Sequence, residues 1–114
     1  MGAMMRVCYL AAPLSGDIPG NLARAKAALA SLQSRYPDRA FIAPWIAWVE
    51  MGDDDNDPAA RERGMQRDLA VIAKCDELWV WGNRISAGMA REIDGAHACG
   101  VQVLYAWGEW SSAA

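Results

Sequence analysis

Apolar residues in this chain fall either in short continuous runs or in longer stretches where they recur every three to four positions. The first run, RVCYLA at Arg6–Ala11, is closed by Ala12-Pro13 and followed by Ser15-Gly16-Asp17 and Pro19-Gly20, all residues that interrupt regular structure. It predicts a strand and then a loop. Over residues 22–36, Leu22, Ala25, Leu29 and Leu32 stand opposite Arg24, Lys26 and Gln33, the stripe of an amphipathic helix with Asn21 as its cap. Pro37-Asp38 turns the chain, AFIA at residues 40–43 predicts a second strand, and Pro44 ends it. The stretch with Trp45, Trp48 and Met51 is less regular and leads into an acidic run at residues 53–57, where Pro58 stands beside a helix cap. A helix is expected over residues 61–74, with Met65, Leu69 and Ile72 on its inner stripe. Next come a strand at Glu77–Trp81 (ELWVW), a polar break at residues 83–86, and a helix over residues 87–99 ended by Gly100 as a C′ glycine. VQVLY at residues 101–105 predicts the last strand.

This order, βαβαβαβ, argues for an α/β fold: a flavodoxin-like open parallel sheet of about four strands, order 2-1-3-4, with helices on both faces. Strands joined through a helix pair in parallel by right-handed crossovers. Functional groups in such folds gather beyond the carboxyl ends of the strands, here at residues 82–92. A length of 114 residues supports one domain, residues 1–114, with one modest core.

Charge and composition narrow the partners. A formal charge of −3 and a pI near 5.0, without a local Lys/Arg cluster, leave no electrostatic footprint for a nucleic-acid polymer. No apolar run approaches the roughly 20 residues of a membrane helix, and the amino-terminal residues do not read as a signal peptide. Cys8, Cys75 and Cys99 are odd in number, lack CxxC spacing and fall inside expected elements, so they read as buried reduced thiols of a cytoplasmic protein. Six tryptophans in so small a domain, together with a cleft bordered by a loop, lead us to expect a homodimer.

Several residues are candidates for chemistry. Glu92 falls on the second turn of the helix that starts beside the third strand's carboxyl end; by position alone it is either a cleft-facing carboxylate or a solvated helix glutamate. Asp68 reads as a surface residue or as an early-turn charge favoured by the helix dipole. Tyr9, inside an apolar strand, reads as a core tyrosine with a satisfied hydroxyl or as a catalytic group. Ser86 and Gly88 at a helix start either cradle an anion or form an ordinary N-cap. Trp45 and Trp48 either stack on a planar base or close the core. GDIPG at residues 16–20 is neither a phosphate-binding GxxxxGK[ST] loop nor GxGxxG. Asp53, Asp55 and Asp57 alternate like the first calcium-loop ligands but lack the glycine and closing glutamate.

Together, CYLAAPLSG, FIAPW, DLAVIAKCDELWV and SAGMAREIDGA resemble the nucleoside 2-deoxyribosyltransferase-like superfamily, including its nucleotide-hydrolase branch and short phage and bacterial relatives of unassigned function. The last two segments are the specific part. In that family a glutamate on the final helix is the nucleophile, with Ser or Asp six positions earlier and Gly between; Ser86, Gly88 and Glu92 match. The family's aspartate in D-L-x-x-[LI] precedes the glutamate by 24 positions, as Asp68 does here, and Tyr9 matches the tyrosine that orients the nucleophile. Ala12 stands where the family usually has Gly, and Ser15 aligns with an arginine of the nucleotide-hydrolase branch. The resemblance implies catalytic roles for Glu92, Asp68 and Tyr9. It also implies substrate contacts from Ser86, Gly88, Pro13, Ser15, Gly16 and Trp45, a nucleoside or nucleotide substrate, and no cofactor or metal. The implied reaction is cleavage or transfer at an N-glycosidic bond. Two competing expectations are a non-catalytic nucleotide or metabolite-binding module of the same fold, and an interaction protein with an exposed tryptophan patch.

Overall fold

A computed structural model describes residues 4–52 and 56–106. It shows β1 (Arg6–Ala11), α1 (Ile18–Arg35), β2 (Arg39–Ile42), α2 (Pro44–Glu50), α3 (Pro58–Ile72), β3 (Glu77–Trp81), α4 (Ala87–Ala98) and β4 (Gln102–Ala106). The strands form one parallel sheet in the order β2-β1-β3-β4, the flavodoxin-like arrangement expected. Cys8 pairs with Phe41 on one side and Glu77 on the other, and Glu77 pairs in turn with Gln102. Right-handed crossovers put α1 on one face and α2, α3 and α4 on the other. The helix packing agrees: α3 touches both α2 and α4, while α1 lies against β2.

The sheet centre is apolar on both faces because helices cover both. Cys8, Tyr9, Leu10 and Ala11 of β1 are fully buried, and every residue of β3 is buried. Below α1, Ala25, Ala28 and Leu32 meet the sheet, and Tyr36, Phe41 and Trp79 form a tilted aromatic cluster with centroids 5.0 to 6.2 Å apart. At the amino ends of the strands the buried Glu77 carboxylate accepts hydrogen bonds from Arg39 Nε (2.8 Å), Trp79 Nε1 (2.9 Å), Cys8 Sγ (3.2 Å) and Arg6 Nη1 (3.3 Å).

Four expectations are corrected. α1 begins at Ile18, capped by Asp17, whose side chain accepts from the Gly20 N–H. Pro19 fits the first turn because its missing N–H would have no helical partner there. Asn21 therefore lies inside the helix, buried, and donates to the Leu14 and Ser15 carbonyls at 2.9 and 3.3 Å. The stretch after β2 is a short helix, α2, in which Pro44 occupies the first turn and Trp45 and Ile46 are buried. α3 starts at Pro58, capped by Asp57, which accepts from the Ala59 N–H at 3.0 Å. Cys8 and Cys75 are buried as expected, but Cys99 is exposed, because α4 closes there with Cys99 as the C-cap. Gly100 follows at φ +73°, the left-handed C′ position that glycine occupies without strain. Asp53 and Asp55 of the acidic run lie outside the described residues, as do Trp107 and Trp110. Among the described residues no helix is long and apolar enough to cross a membrane.

Candidate active site

β1 and β3 are neighbours, but their chains leave toward opposite faces, β1 into α1 and β3 into α4. Such a divergence leaves a crevice at the strands' carboxyl ends. An open cleft of about 160 Å³ occupies it. Ala12, Leu14 and Ser15 line it from the β1 end, and Ser86, Gly88, Met89 and Glu92 from the start of α4. α2 contributes Trp45, Trp48 and Val49; α3 contributes Arg61, Gly64, Met65 and Asp68.

Each candidate side chain is placed by its element. Tyr9 projects from β1 toward α4 and donates its hydroxyl to Glu92 Oε2 at 2.5 Å. It is fully buried, so it supports Glu92 from behind the cleft surface. Glu92 is 6% exposed and Asp68 is 9% exposed, so the two carboxyl groups are largely withdrawn from water while both still reach the cleft. Burial pushes Glu92 up to about 8, helped by the adjacent charge of Asp68; the Tyr9 hydrogen bond works the other way, and a hydrogen bond with Asp68 adds to the rise. Burial likewise raises Tyr9 well above its usual value, with the charges of Glu92 and Asp68 adding to it. Two carboxyl groups buried in one cleft do not both ionise cheaply, which adds to the rise at Glu92. Such a pair can hold a proton and offer an anion from one site.

The rim is tied down. Ser86 caps α4, its Oγ accepting from the Met89 N–H at 3.2 Å, so the N-cap alternative read from sequence is the one observed. Arg84 Nη2 donates to the Ser15 carbonyl at 2.8 Å, joining the loop after β3 to the loop after β1. Trp45 Nε1 donates to the Leu10 carbonyl at 2.8 Å, anchoring α2 to the sheet, and the Arg67 guanidinium stacks 4.9 Å from the Trp48 ring centroid.

Of the residues singled out from sequence, Glu92, Asp68, Ser86, Gly88, Ser15 and Trp45 line one cleft, and Tyr9 bonds to Glu92 behind it. Pro13 is fully buried, and neither it nor Gly16 lines the cleft. The sequence reading missed the α3 wall of Arg61, Gly64 and Met65, and did not place Val49 beside Trp45 and Trp48. Both had a signal: residues 61, 64, 65 and 68 share one helical face, as do 45, 48 and 49.

The proton on this pair makes stability depend on pH. A carboxyl whose folded value is raised contributes stability that is complete at and below its unfolded value near 4.5 and is lost as pH rises through about 8. Urea unfolding at pH 5 and pH 8.5 should therefore show wild type losing on the order of 2 kcal/mol more than Glu92→Gln, whose amide does not ionise. Equal losses would mean that Glu92 is charged throughout.

Fold and site together define an open-sheet α/β domain with a buried carboxylate pair at its topological switch point. The family described as Domain of unknown function (DUF7768) matches residues 6–106, and the chain belongs to it. No curated protein matches the chain in sequence.

Proposed function

We propose that the protein cleaves or transfers the N-glycosidic bond of a nucleoside or nucleotide, with Glu92 as nucleophile and Asp68 as general acid. The observation that carries this reading is the buried Asp68–Glu92 pair, backed by the Tyr9 hydroxyl and opening into a cleft walled by two tryptophans. Leaving of the base develops oxocarbenium character at C1′, which an anion beneath the sugar stabilises and captures. The Glu92 carboxylate attacks C1′, the C1′–N bond breaks with its electron pair going to the base, and Asp68 protonates the departing base directly or through water. Water or a second base then displaces Glu92 from C1′, giving hydrolysis or transfer. Attack requires the pair's proton to lie on Asp68: it passes from Glu92, whose value is raised, across the hydrogen bond between the two carboxyl groups, and the Tyr9 hydrogen bond favours the charged Glu92 that results. Trp45 and Trp48 offer apolar faces for the planar base.

The four tryptophans in the described residues support a cleft over a docking surface. Trp45, Trp79 and Trp81 are buried, and Trp48 is half-buried with Arg67 across its ring. The remaining rival is a module that binds nucleotides without turnover. A panel of nucleosides and nucleoside monophosphates incubated with the protein, scored for free base by chromatography, separates the two: base release is expected, and binding without release would leave the module in its place.

Association as a homodimer also belongs to this proposal. Ile85, just before Ser86 in the chain, and Met51, just after α2, are exposed apolar side chains that a second copy would cover. Light scattering is expected to give twice the chain mass, and a monomeric mass at high micromolar concentration rejects it.

A further inference from the structure

α3 and α4 run against each other along a seam that brings the two carboxyl groups together. At its outer end Arg91 and Glu62 form a two-pronged ion pair, Nη1 to Oε1 at 2.8 Å and Nη2 to Oε2 at 3.1 Å. At its inner end α4 carries Gly95, one turn beyond Glu92, against Leu69, the residue next to Asp68. A Cβ built on Gly95 would lie 2.5 Å from Leu69 Cδ2 and 3.8 Å from its Cγ. By contrast, a Cβ on Gly88, one turn before Glu92, would meet Met65 Cε at an ordinary 3.5 Å. A glycine in the middle of a helix gives up helix stability that alanine would supply, and here a Cβ would collide with the Leu69 side chain unless that side chain or its helix shifts.

We propose that Gly95 is a positioning residue of this site: by presenting no side chain to Leu69, it lets α3 and α4 approach until Asp68 and Glu92 share one buried environment. The role rests on reading that pair as the reacting groups. Adding a methyl group here leaves two responses. Leu69, which packs against the core, must turn away, or α3 must move off α4 and take Asp68 with it. The second response draws Asp68 away from Glu92. Among the described residues, the ionisable groups that act on Glu92 are Tyr9 from β1 and Asp68 from α3; Arg61 of α3 lines the same cleft, and α2 lines it with Trp45, Trp48 and Val49. Separation from Asp68 removes one of the influences that hold the proton on Glu92.

The test needs no substrate. Carboxyl-labelled glutamate is titrated by NMR in wild type, Gly95→Ala and Leu69→Ala/Gly95→Ala, with Glu92→Gln assigning the resonance. In wild type, Glu92 should titrate well above the ordinary carboxylate range. In Gly95→Ala its midpoint should fall by about one pH unit or more, and truncating Leu69 to make room should restore it. A folded Gly95→Ala with an unmoved midpoint overturns the role, as does a wild-type Glu92 that titrates in the ordinary range. If Gly95→Ala alone does not fold, the double variant decides: a wild-type midpoint supports the role, and an ordinary one overturns it. Base release by wild type together with an unmoved midpoint in Gly95→Ala removes the positioning role alone. A moved midpoint in a protein that releases no base removes the glycosidic reading alone.

Discussion

Replacing Glu92 with Ala is expected to abolish base release from every nucleoside, whereas Asp68→Asn should weaken it in proportion to how poorly the base departs. The two defects have different origins. Without Glu92 there is no carboxylate to capture C1′ and no covalent path, so the loss should be on the order of 10⁴ or more in rate. Without the Asp68 acid, a base that leaves readily still departs, because general-acid assistance contributes about 10² to 10⁴ and matters most for poor leaving groups. An activated nucleoside should therefore rescue Asp68→Asn but not Glu92→Ala. Base release from a natural and an activated nucleoside by wild type and both variants measures this, and mass spectrometry looks for a glycosyl adduct on Glu92. Equal activity of wild type and Glu92→Ala on all substrates would sink the enzymatic reading.

The largest expected effect on stability lies at the other end of the sheet. Glu77→Ala should lower unfolding free energy by about 3–5 kcal/mol, the usual cost of removing one partner from a buried charge pair. The variant leaves the indole N–H of Trp79 and the Cys8 thiol without this acceptor and leaves the half-shielded Arg39 with the exposed Asp38 as its carboxylate partner. The Arg39 hydrogen bonds hold the Glu77 carboxyl down at about 2, against the cost of its burial. Its contribution is thus present above pH 4.5 and is lost as pH falls toward 2, the opposite sense to Glu92. Urea unfolding at pH 7 gives the first number; repeating it at pH 3 should narrow the gap between wild type and Glu77→Ala. A loss at pH 7 below about 1 kcal/mol would show that Arg39 and Trp79 find water or other partners when the carboxylate is removed.

Glu77 also shows how a single letter misleads. As the first residue of ELWVW it simply opens a predicted strand, yet it is the least exposed charged residue among the described residues. Its partners Arg6 and Arg39 open β1 and β2, and only the sheet register brings the three strand starts side by side. No local pattern carries that information. Glu92 had the same ambiguity, since a solvated helix glutamate and a buried one look alike until the opposite helix is placed.

By itself the sequence determined the α/β class, the strand order and most element boundaries. These follow from local periodicity, from proline and glycine punctuation, and from the handedness of parallel crossovers, all short-range or general constraints. β1 and β3 begin and end where their apolar runs do, and Gly100 ends α4 as read. Where the cap of α1 lies was decided by geometry, because Asp17 and Asn21 are equally good capping residues and only the path of the loop assigns one to the cap and the other to the Leu14 and Ser15 carbonyls. The pairing of Asp68 with Glu92, their withdrawal from water and the close approach at Gly95 were likewise settled only in three dimensions. Desolvation and charge coupling depend on what packs within a few ångströms, and those neighbours come from α3, α4 and β1, segments far apart in the chain.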